Sequence, residues 1–464
     1  MSGSLNGILS VARSGMRAQQ LALQVTGNNI ANASTPGYSR QRVDMVAGQS
    51  VTLPQGLLGT GVQIVNITRA RDVLLDATLR RDTALSEGFS TAQQELLRIE
   101  AVLAEPTEAG LASALDAFWD SWSDLSNDPS STSARAVVRA RGEQLVEIFN
   151  RSANSFGAIR ADLTDSVSSS VEEVNRLLGE IAELNGQISA AVSGGQAAPG
   201  IEDQRDLLLD QLATLTEITV TSRANGGVGV AIDGISVVEG TIASTITATY
   251  SGGSYSIQTE NGLDLDISGG VIGGTLQVLE TDLPGIEAEL DTIAQGLVER
   301  VNGLHTTGTN SADVTGINFF DDLGDLTLVG ARNLSLSADV EASLDNVVAG
   351  SGSGGGAYQP GANDVALALA DLRTDTSGGL LDGSSVNEAY QELVAGVGVL
   401  ASSAGGSAEG AQILVAAATE RRQSVSGVST DEELIKIIQL QAAFSAAARV
   451  VSVVDEMYQT LLSI

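Results

Sequence analysis

The last thirty or so residues place apolar side chains at seven-residue intervals so regularly that a long amphipathic helix is the structure they fit. Ile437, Phe444, Val451 and Tyr458 fall on one heptad line, and Leu440, Ala447, Val454 and Leu461 fall on its neighbour, the seam of a coiled coil. Asp431, Glu432 and Glu433 stand where carboxylates meet the positive end of a helix dipole, so the helix starts near Thr430. The first thirty residues carry a weaker copy: Leu9, Met16, Leu23 and Ile30 on one line, with Leu5, Ala12, Gln19 and Thr26 beside it. Residues 1–43 hold Arg13, Arg17, Arg40 and Arg42 and no acid, whereas 431–464 hold five acids against Lys436 and Arg449. Complementary seams and opposite charge bring the two ends together, within one chain or between neighbours. Burial of the C-terminal seam supplies on the order of 10–20 kcal/mol. Ordering some thirty residues costs about 1–2 kcal/mol each, so the terminal helices are expected to fold only where neighbours cover them.

Three further stretches follow the same grammar. Phe89, Leu96 and Leu103 with Ala92 and Ile99 make one seam, and Leu283, Ile286, Leu290, Ile293, Leu297 and Leu304 make another. The third runs through Val167, Val171, Val174, Leu178, Ile181 and Ile188, with Asn185 at a seam position where a polar residue commonly fixes register. Between about 216 and 275 the period drops from near 3.6 to 2: Ile218 and Val220 alternate with threonine, and Thr241–Tyr250 faces Tyr255–Ile257 across Gly252-Gly253. A two-glycine turn accepts the positive φ angles of a tight hairpin and predicts Tyr250 opposite Tyr255. Gly350–Gly361, rich in glycine and serine, reads as a flexible loop, and helical spacing resumes after Asp364. The expected class is mainly α with a β-rich insertion, α+β overall. Its parts are a terminal coiled-coil domain from 1–40 and 430–464, a discontinuous, mainly helical middle domain from 41–215 and 276–429, and a β-rich insertion at 216–275.

Charge and composition remove whole classes of function. Lys+Arg 24 against Asp+Glu 57 leaves a net −33, the wrong sign for a nucleic-acid partner. Cysteine is absent, which removes disulfides, thiolate zinc sites and cysteine nucleophiles together, and His305 alone cannot build a His-rich metal site. His305 is expected to pack or hydrogen-bond. The sole lysine, Lys436, lies inside the last helix, so there is no P-loop; Gly59-Thr60-Gly61 lacks the third glycine of a dinucleotide turn, and no Gly-x-Ser-x-Gly elbow occurs. Asp264-Leu265-Asp266-Ile267-Ser268-Gly269 opens like an EF-hand loop but has Thr275 in place of the twelfth-position glutamate. No unbroken apolar run approaches the length of a bilayer span, so neither membrane insertion nor an ordinary signal peptide is expected. Catalytic residues, cofactors and metals are all expected to be absent.

One segment is specified beyond what a helix stop requires. In Gly27-Asn28-Asn29-Ile30-Ala31-Asn32-Ala33-Ser34-Thr35-Pro36-Gly37-Tyr38-Ser39-Arg40-Gln41, Asn and Gly accept the angles that end a helix, Pro36-Gly37 forces a turn and Tyr38 anchors the exit. This resembles the axial proteins of the bacterial flagellum, whose rod, hook and junction members open with an Asn-Asn-Ile-Ala-Asn helix end followed by Thr-x-Gly-Tyr or Phe. Dispersed segments are similar to the junction members in particular: Ser39-Arg40-Gln41, Ile181–Asn185, Asp203-Gln204-Arg205-Asp206, then Asn302, His305, Gly308, Gly316 and Phe319-Phe320, then Gly427-Val428 before the final helix. The resemblance implies a structural protein that stacks into a ring or tube through its terminal helices. The assembly residues would be Leu9, Met16, Leu23, Ile30, Asn28, Asn29, Asn32, Pro36, Gly37 and Tyr38, with Ile437, Leu440, Phe444, Val451, Val454, Tyr458 and Leu461. It implies as partners copies of itself, the flagellar hook protein, a second hook-associated junction protein and a type III export chaperone, and an extracellular site reached without a cleaved signal peptide. The alternatives are another rod or hook protein or, from a different class, an acidic secreted calcium-binding adhesin or hydrolase resting on Asp264 and Asp266.

Overall fold

The computed structural model describes all residues except 1, 54–55, 104, 106, 108–109, 353–356, 378 and 464. Helix α1 (Ser2–Ala31) is followed by a β ribbon of β1 (Gln41–Ala47), β2 (Val51–Leu53), β3 (Gly56–Leu58) and β4 (Val62–Arg69), in which β1 pairs antiparallel with β4 and β2 with β3. The sequence signal for this ribbon was weak, because β1 and β4 mix Asp, Asn, Gln and Thr with their valines. Helices α2 (Val73–Leu103), α3 (Leu111–Asn127), α4 (Thr132–Ser193) and α5 (Pro199–Leu215) come next. Strands β5 (Thr219–Ser222), β6 (Val228–Ile232), β7 (Ile235–Glu239) and β8 (Ile242–Ala243) form a four-stranded meander, and β9 (Ile246–Ser251) and β10 (Ser254–Thr259) form a separate hairpin. Helix α6 (Gly270–Gln277) runs through one π turn (Val278–Asp282) into α7 (Leu283–His305). A loop-rich stretch containing α8 (Ala338–Ala342) leads to α9 (Asp364–Asp371), α10 (Val386–Ser426) and α11 (Thr430–Leu462).

Two cores divide the interior, and α4 runs through both. At 62 residues α4 spans about 93 Å. Its first half joins α2, α3, α7, α9 and α10 around an aromatic cluster in which Phe118 lies 5.5 Å from Phe319 and Trp122 lies 5.4 Å from Phe319, centroid to centroid. His305 is wholly buried there: its Nδ1 meets the Ile317 carbonyl at 2.7 Å, and its Nε2 accepts from the Val348 N–H at 3.2 Å. That bonding places the proton on Nδ1, and burial pushes the ring's pKa down to about 4. His305 is thus a packing and hydrogen-bonding residue, as its sequence context led one to expect.

The second core is made by the other half of α4, by α5 and by the insertion: Val167, Val171, Val174, Leu178, Ile181, Leu209 and Leu212 pack against Val228, Val230, Ile232, Val238, Ile246 and Ile257. The glycine turn behaves as its sequence implies, with Tyr250 paired to Tyr255 and positive φ at Gly252 and Gly253. Thr241–Tyr250 is not one strand, however; Ile242–Ala243 completes the meander before β9 begins. The helix after the insertion starts at Gly270, so the last residues of the 216–275 segment are helical. Asn185 does other work than setting helix register: its Nδ2 donates to the carbonyls of Val228 (2.9 Å) and Gly240 (2.8 Å), and its Oδ1 accepts from Val228 N–H (2.9 Å), tying the meander to α4. Of Gly350–Gly361, residues 353–356 lie outside the described residues; on either side, Ser351 N–H donates to Asp364 Oδ1 (2.8 Å) and Tyr358 N–H to Asp313 Oδ1 (2.7 Å).

Candidate assembly interface

The two terminal helices pair antiparallel within one chain. At one end Asn29 Nδ2 donates to Glu433 Oε2 at 2.9 Å, and at the other the Tyr458 hydroxyl donates to Asn6 Oδ1 at 2.7 Å. The pairing therefore extends over about 35 Å of helix. Both helices are formed, against the expectation from seam arithmetic alone, which left out the contacts at their shared end and the ribbon that leans on α1. Ile437, Leu440, Phe444, Val451 and Tyr458 are half-buried towards α1, Val454 is fully buried, and Leu461 is exposed.

On α1 the most buried line is Leu5, Ala12 and Thr26 with Ala18, Ala22 and Val25, while Leu9, Met16, Leu23 and Ile30 sit half-buried on its flank. Thr26 tolerates the interior because its hydroxyl donates back to the Ala22 carbonyl at 2.8 Å, which hides its polar hydrogen. Gln19 Oε1 is buried without a hydrogen-bond partner.

What the pair leaves bare is as apolar as what it covers. Ile8 and Val11 on α1 are exposed, as are Leu434, Ile435, Ile438, Val450, Val453, Met457 and Leu462 on α11, with Ile438 at 66%. The stretch Val386–Leu462 contains an 18-residue window long and apolar enough to cross a bilayer by composition, and almost all of that window is exposed. This corrects the expectation that no such stretch exists: scattered polar residues such as Gln and Ser interrupt the apolar run, while the alanines between them keep its average high.

The Asn28–Gln41 segment closes the other end of the pair as a knot of buried hydrogen bonds. Asn29, fully buried, uses every polar position it has: Nδ2 donates to the Gln41 carbonyl (2.9 Å) as well as to Glu433, and Oδ1 accepts from Gln41 N–H (2.9 Å) and the Tyr38 hydroxyl (2.8 Å). Glu433, its side chain wholly buried, also receives Arg40 (Nη2 at 2.7 Å), and Arg40 reaches Glu432 at 3.0 Å. Burial, followed by the charges of Asp203 and Glu433, pushes the Tyr38 phenol up to about 12, so it stays a donor. Asn32 Nδ2 bonds the Asn28 carbonyl (3.0 Å) and side chain (2.9 Å), ending the helix. Gly37, at φ +77°, turns the chain against Leu207 of α5, whereas Pro36 is exposed.

Next to the knot lies an ionic hub that fastens it to α2, α5 and α10. Asp203 accepts from Ser39 N–H (3.2 Å) and from Arg69 (2.9 Å); Asp206 pairs with Arg69 (2.7 Å) and Arg71 (3.0 Å); Asp210 pairs with Arg80 (2.7 Å) and Arg422 (2.6 Å). Burial alone would raise the Asp206 carboxyl, but Arg71, Arg69, Arg80 and Arg205 hold it below the usual carboxylate range. In the sequence Asp203–Asp206 stands out only as a likeness and Glu433 only as a helix-dipole partner, and nothing local joins them to Arg69, Arg71, Arg80, Asp210 and Arg422. The dense alternation of Arg and Asp through Arg69–Asp82 was the available signal.

Asp264 is bound by Gln258 Nε2 (2.8 Å) and the backbone of Asp266 by Asp233 (3.1 Å), and among the described residues no group of three or more His, Cys, Asp or Glu is arranged to hold a metal.

Comparison with known proteins bears on the same regions. Residues 96–320 match the family profile described as the flagellar hook-associated protein FlgK helical domain, 9–38 that of the flagella basal body rod protein, and 421–464 that of the flagellar basal body rod FlgEFG protein C-terminal. The chain is 30% identical to flagellar hook-associated protein 1 of Bacillus subtilis over 98% of its own length and 97% of the relative's. It is 24% identical to the protein of the same name from Escherichia coli, over 99% of this chain and 100% of that one. A solved structure of the flagellar hook junction protein FlgK from Burkholderia pseudomallei superposes with a TM-score of 0.66 at 15% identity, covering 75% of this chain and 100% of that one, a likeness of fold.

Proposed function

The chain belongs to the flagellar hook-associated protein 1 family, and on that premise we propose that copies of it stack into a ring or tube whose wall is formed by their terminal helix pairs. The protein is a structural component of the flagellar hook–filament junction, and its relatives are structural proteins and not enzymes. The observation that carries the proposal is the second apolar face of α11, with Ile435, Ile438, Val453 and Met457 exposed on a helix already paired along its length. A surface of that kind is covered in a working assembly. We read the same face as a subunit contact and not as a membrane span, since α11 is held along its seam by α1. In this reading the heptad residues close the pair inside each subunit, and the residues beside them meet the next subunit.

The family further supports the flagellar hook protein as the neighbour on one side, a second hook-associated junction protein on the other, and an export chaperone before assembly. It supports export without a cleaved signal peptide to an extracellular position. The test is to add the purified full chain to isolated hooks and count capped ends by electron microscopy. Ile438→Asp combined with Val453→Asp is expected to abolish capping while leaving the thermal unfolding of the middle domain unchanged. Normal capping by that double variant would refute the proposal.

A further inference from the structure

The β ribbon at 41–69 leans on α1 at the outer end of its β1–β4 ladder, just short of the β2–β3 tip. There Val62 N–H donates to Ser14 Oγ at 3.2 Å, and Gly61, at φ +105°, passes so close to α1 that an added Cβ would lie 3.2 Å from the Val11 Cα. Beyond that contact Val51, Leu57 and Leu58 are exposed, Leu57 at 74%, and within the ladder Val65 is exposed as well. A two-stranded ribbon is marginal in water without something to pack on, and bare apolar strands invite a partner. The ribbon also carries no charged residue from Met45 to Thr68, in a chain whose net charge is −33. Copies this acidic repel one another, so close contact is least opposed where neither surface is charged.

A second surface has the same two properties. Between Glu392 and Glu420 of α10 the only charged residue is Glu409, and on the face turned away from α2 Val399, Ile413 and Leu414 are exposed. That face also carries Gly396, Gly406 and Gly410, where an added Cβ would meet nothing within 4 Å. Mid-helix glycine is less stable than alanine, and packing inside this chain does not explain these three. Gly405, by contrast, is explained, because a Cβ there would lie 2.4 Å from Gln93 Nε2 of α2. Open glycines on an uncharged apolar face suit the close approach of another backbone.

We propose that the uncharged ribbon of one copy docks on the outer face of α10 of the next copy. The inference rests on the self-assembly reading above and adds to it a second contact, made between two different surfaces. A contact of that kind, head to tail, is what generates rings and helical tubes.

The chain has no cysteine, so Leu57→Cys can carry a single benzophenone photocrosslinker on the full chain. An equimolar mixture of ¹⁴N- and ¹⁵N-labelled copies is assembled on isolated hooks, irradiated and digested, and Ile438→Cys is labelled in parallel. The expected product joins the Leu57 peptide to a peptide from 386–426 in mixed-isotope form. Attachment to another region, to a different protein of the hook, or only within one copy would overturn the inference. If Ile438 yields mixed-isotope links and Leu57 does not, the ribbon contact alone fails; if neither does, the self-assembly reading fails and the inference falls with it. As an independent check, Gly406→Leu with Gly410→Leu is expected to lower the hook-bound fraction at least tenfold without lowering the melting temperature of the free chain. Unchanged binding by that variant would also overturn the inference.

Discussion

The terminal helix pair and the aromatic core around α3 and α7 are built on opposite plans. Phe118, Trp119, Trp122, Phe319 and Phe320 are all essentially inaccessible, each facing other side chains of the same chain. The terminal pair, by contrast, buries one seam and leaves Ile438, Val453, Met457 and Leu462 in solvent. One region is finished by its own sequence and the other is not. Stability and assembly should therefore be separable by mutation, because few residues serve both.

The sharpest break would come from removing residues 434–464. Hook capping should fall to zero, while tryptophan fluorescence and the cooperative unfolding of the middle domain persist, because the aromatic core contains no residue of α11. Loss of that transition would show that the two regions are one unit. The converse change, Phe319→Ala, should cost about 3–5 kcal/mol in chemical denaturation of the middle domain, with any loss of capping appearing only once that domain unfolds.

A pH series sharpens the contrast further. The folded pKa of His305, about 4, lies below its unfolded value of 6.5, so the stability tied to the neutral ring is complete above pH 6.5 and is lost as pH falls towards 4. The expected loss is about 3 kcal/mol, read as a falling denaturation midpoint, and His305→Gln should flatten that part of the profile. The smallest effect belongs to the knot. Asn29→Ala removes the partner of Gln41, Tyr38 and Glu433 and should cost about 1–3 kcal/mol, visible as faster hydrogen exchange at the start of α11 with the middle domain unaltered.

Much of this architecture could be read from period and charge. The α11 seam was legible because its heptad residues, Leu461 apart, are buried or half-buried against α1, and the hairpin because Gly252-Gly253 permits few alternatives. The buried line of α1 was legible only in part: Leu5, Ala12 and Thr26 stand on the seam's second line, but Thr26 reads as an interruption, and only its hydroxyl bond to the Ala22 carbonyl explains its burial. The Asn28–Tyr38 segment could be recognised as over-specified, yet its partner Glu433 lies 404 residues away from Asn29, and no local pattern connects them. The insertion seemed separable from its period change, but Asn185 and the shared second core tie it to α4 by contacts that only the fold brings together.

The antiparallel pairing of the ends also dictates an order of events. Tyr458 meets Asn6 at a separation of 452 positions along the chain, and closing so wide a loop in an unstructured polypeptide is entropically costly and slow. Once the middle domain has formed, the ionic hub holds the bases of both arms side by side, and the remaining search shrinks to two short segments at high effective concentration. The pair should therefore close last in folding, and its register should be inherited from the domain beneath it.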